Sequence, residues 1–233
     1  MKNETLIACQ GLTKQYRRGG ETLTVLDNLN LEMEAGHFYA LMGPSGSGKT
    51  TLLNMIGGLD RPDSGELRVA GEALNELSGT ELSDWRGSHV GFVFQGFNLI
   101  PVLTAFENVR LPLLLAPLSS AERKERAEYA LDVVGLADRR NHRPGQLSGG
   151  QEQRVAIARS IVTDPDVLLC DEPTGDLDRE SADGVLNILA TLGKDFKKTI
   201  LMVTHDPAAA ERAQRIVHLN KGQLGRIDEN GGQ

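Results

Sequence analysis

The stretch Phe38-Tyr39-Ala40-Leu41-Met42-Gly43-Pro44-Ser45-Gly46-Ser47-Gly48-Lys49-Thr50 decides the fold. Its five leading apolar residues predict a short buried strand. The strand runs straight into a complete G-x-x-x-x-G-K-[ST] pattern at 43–50. Residues 49–56 then read as a helix stopped by Gly57-Gly58. Strand, loop, helix is the context in which this glycine pattern wraps the phosphates of a nucleotide. The backbone N–H groups of Gly43, Pro44, Ser45, Gly46, Ser47, Gly48 and the residues after them, proline excepted, form the expected cradle. Lys49 reaches the β- and γ-oxygens, the Thr50 hydroxyl reaches Mg²⁺, and Thr51 completes the phosphate-facing set.

Upstream, residues 6–10 and 22–31 read as strands around the turn-like Arg17-Arg18-Gly19-Gly20. Downstream, residues 65–69 predict a strand, Ser78-Gly79-Thr80-Glu81 a capping box before a short helix, and 90–94 a buried strand ending at Gln95. The character then changes. Ser119-Ser120-Ala121-Glu122 is a second capping box, opening an amphipathic helix to about Val134 with Gly135 as its stop. We read about 96–160 as a mostly helical insertion. Alternation resumes with the strand 167–170, the helix 181–192 and the strand 199–204. Alternating strands and helices imply an α/β fold, with an open parallel sheet covered by helices on both faces. Ligands bind at the carboxyl ends of such strands, and Gly43, Asp171-Glu172 and His205 all follow strand ends.

That convergence suggests roles. Asp171 is expected to hold Mg²⁺, and Glu172 to orient or deprotonate an attacking water. An ordinary helix-capping pair of acids is the plainer alternative for both. His205 can hydrogen-bond a γ-phosphate, or cap a helix beside Asp206-Pro207. Gln95 can ligate Mg²⁺ or the lytic water at a hinge, or be an ordinary turn glutamine. Tyr16 can stack on adenine, or serve as an edge or core tyrosine. Far along the chain, Leu147-Ser148-Gly149-Gly150-Gln151 opens another apolar helical run. Small residues bare that helix start, which makes it a second anion-facing site, although Ser148 is in any case an N-cap. Two phosphate-facing loops in one chain suggest two chains sandwiching ATP.

The 233 residues carry a formal net charge of -7 and 39% apolar residues. That suits one domain with a real core, and it argues against broad nucleic-acid binding, which leaves a basic footprint. The N-terminal residues lead into no secretory signal, and no run reaches the length of a membrane span. The two cysteines, Cys9 and Cys170, lack metal-ligand spacing, and a reduced cytoplasmic compartment is the simplest expectation.

Taken together, GPSGSGKT, Gln95, LSGGQ, VLLCDEPTGDLD and His205 resemble the full motif set of an ABC-type ATPase domain, in order and over essentially the whole chain. The resemblance implies one domain over 1–233. It comprises a RecA-like P-loop NTPase core with an N-terminal antiparallel β-subdomain at about 1–95 and 161–233, and an inserted α-helical subdomain at about 96–160. It also implies a head-to-tail ATP sandwich, in which Ser148, Gly149, Gly150 and Gln151 meet the partner copy's nucleotide. Tyr16 becomes the adenine-stacking aromatic, and Asp178 falls in the loop joining two active sites. Residues 92–101 and 104–109 look more narrowly like the lipoprotein-release and macrolide-export ATPases, with a cell-division relative close by. This implies a cytoplasmic protein held at the inner face of the membrane by a permease partner. The alternative is a regulatory ATPase signalling through a membrane partner without transport. DNA-repair and translation members of the wider class are disfavoured by the single cassette, the absence of a heptad run and the negative charge. Three positions depart from the subfamily's usual pattern: Asp176 for Asn, Glu152 for Gln and Cys170 for Ala.

Overall fold

The computed structural model describes residues 4–230. Met1, Lys2 and Asn3, part of the N-terminus read above as carrying no leader, lie outside the described residues. Two sheets organise the chain. Strands β1 (Thr5–Arg18), β2 (Glu21–Glu34), β4 (Ser64–Val69) and β5 (Glu72–Ala73) form an antiparallel sheet in the order β2-β1-β4-β5. Strands β3 (Phe38–Met42), β6 (Val90–Phe94), β7 (Val167–Asp171), β8 (Thr199–Val203), β9 (Arg215–Asn220) and β10 (Gln223–Glu229) form the second, in the order β10-β9-β3-β8-β7-β6. There β9, β3, β8, β7 and β6 run parallel, and β10 closes the edge antiparallel to β9.

The parallel strands read as unbroken apolar runs because both faces are covered. Their period of two still sorts the side chains. Phe38, Ala40, Leu168, Cys170, Ile200 and Met202 join one core, while Tyr39, Leu41, Val167, Leu169, Leu201 and Val203 join the other. The first core holds the helices that follow β6: α3 (Ala105–Arg110), α4 (Ser120–Val133), α5 (Gly149–Ile161) and α6 (Arg179–Lys194). The second receives α1 (Lys49–Ile56), α2 (Gly79–His89) and the inner face of the antiparallel sheet. A short α7 (Pro207–Ala210) follows β8. The result is the α/β fold expected: a RecA-like parallel core, an N-terminal antiparallel β-subdomain and helices inserted between β6 and β7.

The capping signals read from sequence govern the helix starts. Ser78, Ser119 and Ser148 each accept a hydrogen bond from the third helical residue and receive its side chain in return. One start differs from expectation. The helix read at 181–192 begins at Arg179, because Asp178 is its N-cap and its carboxylate accepts from Ser181 N–H at 3.0 Å. Both cysteines are free and buried; burial pushes the Cys9 thiol up to about 12 and the Cys170 thiol higher still.

Candidate functional site

The loop between β3 and α1 lies at the carboxyl end of the parallel sheet, and its glycines are dictated by space. A side chain on Gly43 would collide with the carbonyl of Leu219 on neighbouring β9. Gly48 is left-handed at φ 98° and faces Leu26 and the Val25 carbonyl on β2. The loop therefore hugs both sheets and opens toward a cleft of about 680 Å³. Gly43, Ser45, Gly46, Ser47, Gly48, Lys49, Thr50 and Thr51 line it, together with Glu172, Val203 and His205 from the ends of β7 and β8. Leu23 and Val25 of β2 form its apolar wall.

Three observations show that the loop suits a chain of phosphates. α1 starts on Gly48 with no side-chain cap, so its first N–H groups remain open to an external acceptor. The Ser47 hydroxyl is buried and without a partner among the described residues. Lys49 is almost fully buried; its ammonium donates to the Gly43 and Pro44 carbonyls at 2.8 and 3.0 Å and keeps one N–H in hand. A buried ammonium, an orphan hydroxyl and an open helix start all favour a negative ligand.

The acidic side of the cleft pairs hydroxyl with carboxylate. The Thr50 hydroxyl donates to Asp171 Oδ1 at 3.4 Å. Burial raises the Asp171 pKa above its ordinary value, the Thr50 hydrogen bond opposing that shift. A half-buried carboxylate beside a hydroxyl is a donor set suited to a hard cation such as Mg²⁺, completed by phosphate oxygens. Glu172 follows with φ 49°, in the left-handed region that carries a cost for a residue with a side chain. Its amide donates to the Val203 carbonyl at 3.0 Å, which holds the turn. Its Oε2 accepts from His205 Nδ1–H at 2.7 Å, leaving Oε1 for another donor. That hydrogen bond, with the carboxylate charge behind it, raises the His205 pKa.

Several expected residues stand elsewhere. Gln95 is not on the cleft wall; its Nε2 donates to Asp176 Oδ1 at 2.8 Å. Tyr16 also lies off the wall, on β1. Its hydroxyl donates to Asp60 at 2.6 Å, and the Lys14 ammonium sits 5.1 Å from its ring centre. Ser148 to Gln151 lie away from the cleft, at the start of α5. There the Ser148 hydroxyl accepts from Gln151 N–H at 3.3 Å, and Gln151 Oε1 accepts from Ser148 N–H at 3.0 Å. Gln151 thus closes its own helix end, while the Gly149 and Gly150 N–H groups keep no side-chain partner. Gly150 packs where a side chain would strike Ser181 of α6. Sequence reading missed Leu23 and Val25, whose alternation marked only a strand, and the Asp176 contact, which spans the whole insertion.

A phosphate loop, a carboxylate pair and a histidine gathered on one sheet rim, with a capped serine-glycine helix start apart from them, define a P-loop ATPase of the cassette type. A profile of the ABC transporter family matches residues 26–175, and the chain belongs to that family as an ABC-type ATPase. It is 46% identical over 222 residues to the lipoprotein-releasing system ATP-binding protein LolD of Chromohalobacter salexigens, covering 95% of this chain and 94% of that one. It is 48% identical over 216 residues to the macrolide export ATP-binding/permease protein MacB of Rhodopseudomonas palustris, but spans only 33% of that longer protein. A solved dimeric structure of the ATP-binding cassette MJ0796, in a post-hydrolysis state bound to ADP and Pi, superposes with a TM-score of 0.88 at 42% identity. That match covers 97% of this chain and 100% of the other.

Proposed function

We propose that this chain is the ATP-hydrolysing subunit of a membrane complex of the lipoprotein-release or export type, working as a head-to-tail pair. The convergence of Glu172, His205 and the phosphate loop in one cleft carries this reading. Lys49 and the loop N–H groups hold the β- and γ-phosphates. Glu172 Oε1 accepts from a water aligned on the γ-phosphorus and takes its proton as the β–γ bridging bond breaks, giving ADP and phosphate. His205, tethered through Nδ1, can donate from Nε2 to a γ-oxygen in its imidazolium form, which the Glu172 contact favours. Thr50 and Asp171 would hold Mg²⁺, which offsets charge on the phosphate oxygens when bound, and Gln95 would join them on leaving the Asp176 contact it makes here. Tyr16, 41% exposed just outside the cleft lining, would stack on the adenine. Ser148, Gly149, Gly150 and Gln151 meet the γ-phosphate on a second copy, so closure depends on ATP.

Glu172→Gln tests the assignment. Turnover should fall by about 100-fold or more, the usual cost of losing a general base, while MgATP affinity holds. Light scattering should then show a dimer with MgATP and none with MgADP. Turnover within about twofold of wild type would defeat the role.

A membrane partner would account for the apolar surface beyond Gln95. Leu99 and Phe106 pack the core, but Ile100 and Val102 stay exposed, Val102 at 70%. The fully buried Asn108 amide holds this loop through Ile100, Leu103 and Thr104, so the exposed residues sit on a fixed platform. No helix of the described residues is long and apolar enough to cross a membrane. Association with one would therefore run through a docked permease and leave the chain on the cytoplasmic face. Val102→Glu should abolish co-purification of a co-expressed permease of the lipoprotein-release or export type and leave basal ATPase unchanged; retained co-purification would reject the platform.

A further inference from the structure

The least ordinary buried side chain outside the cleft is Gln153, on α5 a little past the Ser148 cap. It is 0% exposed. Its Nε2 donates to the Phe94 carbonyl at 3.2 Å and to the Pro173 carbonyl at 2.6 Å. Its Oε1 is buried and has no partner among the described residues. Carbonyl oxygens only accept, so two of them on one side fix which way the amide points. An orphan acceptor in the interior is a standing cost that an apolar side chain of the same length would avoid. What the amide provides in return is its two donated bonds, and their destinations are specific. Phe94 immediately precedes Gln95, and Pro173 immediately follows Glu172.

The same helix grips the far side of Gln95 as well. The Arg159 guanidinium donates to the Phe97 carbonyl at 2.8 Å and to the Asn98 carbonyl at 2.5 Å. Phe97 and Asn98 are both left-handed, at φ 56° and 51°, so this bend is held against its backbone preference. α5 therefore fastens the Gln95 segment from both ends. Through Gln153 it fastens the Glu172 segment too.

We propose that Gln153 is a positioning residue: it ties the helix that begins at Ser148 to the two segments carrying Gln95 and Glu172. Seating of that helix start on nucleotide and alignment of the hydrolytic carboxylate then occur as one movement. An α-helix transmits a shift of its first turn to the next turn almost rigidly, because its ladder of hydrogen bonds is continuous. Gln153 converts that shift into a pull on two backbone carbonyls. The proposal rests on the hydrolytic role assigned to Glu172 above.

Gln153→Met keeps the length of the side chain and removes both donors. Gln153→His keeps an N–H and serves as the conservative rescue. For each, steady-state ATPase, thermal midpoint and hydrogen exchange with a non-hydrolysable MgATP analogue are measured beside Glu172→Gln. The Met variant should keep KM for ATP within about twofold and lose about tenfold or more in kcat, as misplaced catalytic groups do. The His variant should fall between it and wild type. Nucleotide should still protect 43–51 in the Met variant but no longer 94–98. An unchanged kcat, or kcat and KM shifting together with a lowered thermal midpoint, would overturn the proposal. If the Met variant does not fold, the wild-type chain decides. Protection at 94–98 and at 174–177 should rise at one nucleotide concentration, and two separate midpoints would overturn the tie. Normal turnover in Glu172→Gln would remove the hydrolytic reading and the tie with it. Loss in Glu172→Gln with a normal Gln153→Met would remove the tie alone.

Discussion

Two helices of this chain begin among glycines, and they begin differently. α1 starts on left-handed Gly48 with no side-chain cap, whereas α5 starts on Ser148 with a full reciprocal capping box. The other α-helix starts among the described residues resemble α5: Ser78, Thr104, Ser119, Asp178 and Asp206 all supply a side-chain acceptor. Orphan N–H groups at a helix start must find a partner in protein, water or ligand. α1 alone leaves that partner to come from outside, with a buried ammonium and an unpartnered hydroxyl beside it. α5 satisfies part of its own need and offers only what remains. On the function proposed above, one chain would hold a phosphate site ready to fill and a second surface that contributes once another copy presents a nucleotide.

Lys49→Ala bears hardest on this contrast. If α1 is the ready site, removing its ammonium should weaken MgATP binding by about 10- to 100-fold, since hydrogen bonds to charged groups contribute about 1.5–3 kcal/mol. Calorimetry on the monomer measures it, and unchanged affinity would erase the distinction between the two helix starts. Ser148→Arg probes the other side. The variant should bind MgATP within about twofold of its parent. In the Glu172→Gln background it should weaken the ATP-dependent dimer by about tenfold or more, by setting bulk where the phosphate must approach. A dimer indifferent to this change would mean that α5 caps only itself.

The smallest effect is electrostatic and local to the α1 rim. Hydrogen bonding to Glu172, then its charge, raises the His205 pKa. Its contribution is thus complete below the ordinary imidazole value of about 6.5 and is lost as pH rises through the higher folded value. Titration of the imidazole by NMR should find a midpoint above the ordinary value in wild type, and one shifted back down in Glu172→Gln. Equal midpoints would show that the two side chains do not meet in solution.

What could be read in advance follows the range of the forces involved. The β3 strand, its loop and α1 are set by residues adjacent in sequence, and the helix falls on Lys49–Ile56 as expected. Capping boxes at Ser78, Ser119 and Ser148 are equally local. At α6 the start falls at Arg179, two residues before the expected Ser181, because Asp178 supplies the cap. Contacts across the fold left no local trace. Gln95 finds Asp176, Tyr16 finds Asp60, and Gln153 reaches Phe94 and Pro173 only once the parallel strands are stacked. Of the cleft, its charged rim was legible, because each rim residue follows a strand end. Its apolar wall of Leu23 and Val25 was not, because it comes from the other sheet.

The two cysteines acquire a use from their burial. Cys9 and Cys170 are 1% and 0% exposed, and a thiol that stays protonated is a poor nucleophile. The folded protein should therefore be nearly silent toward maleimides without any change to its sequence. A single cysteine introduced at exposed Val102, or on the exposed rim of the cleft, would then take a fluorophore or spin label against a dark background. Opening and closing of the pair could be timed in an otherwise native chain.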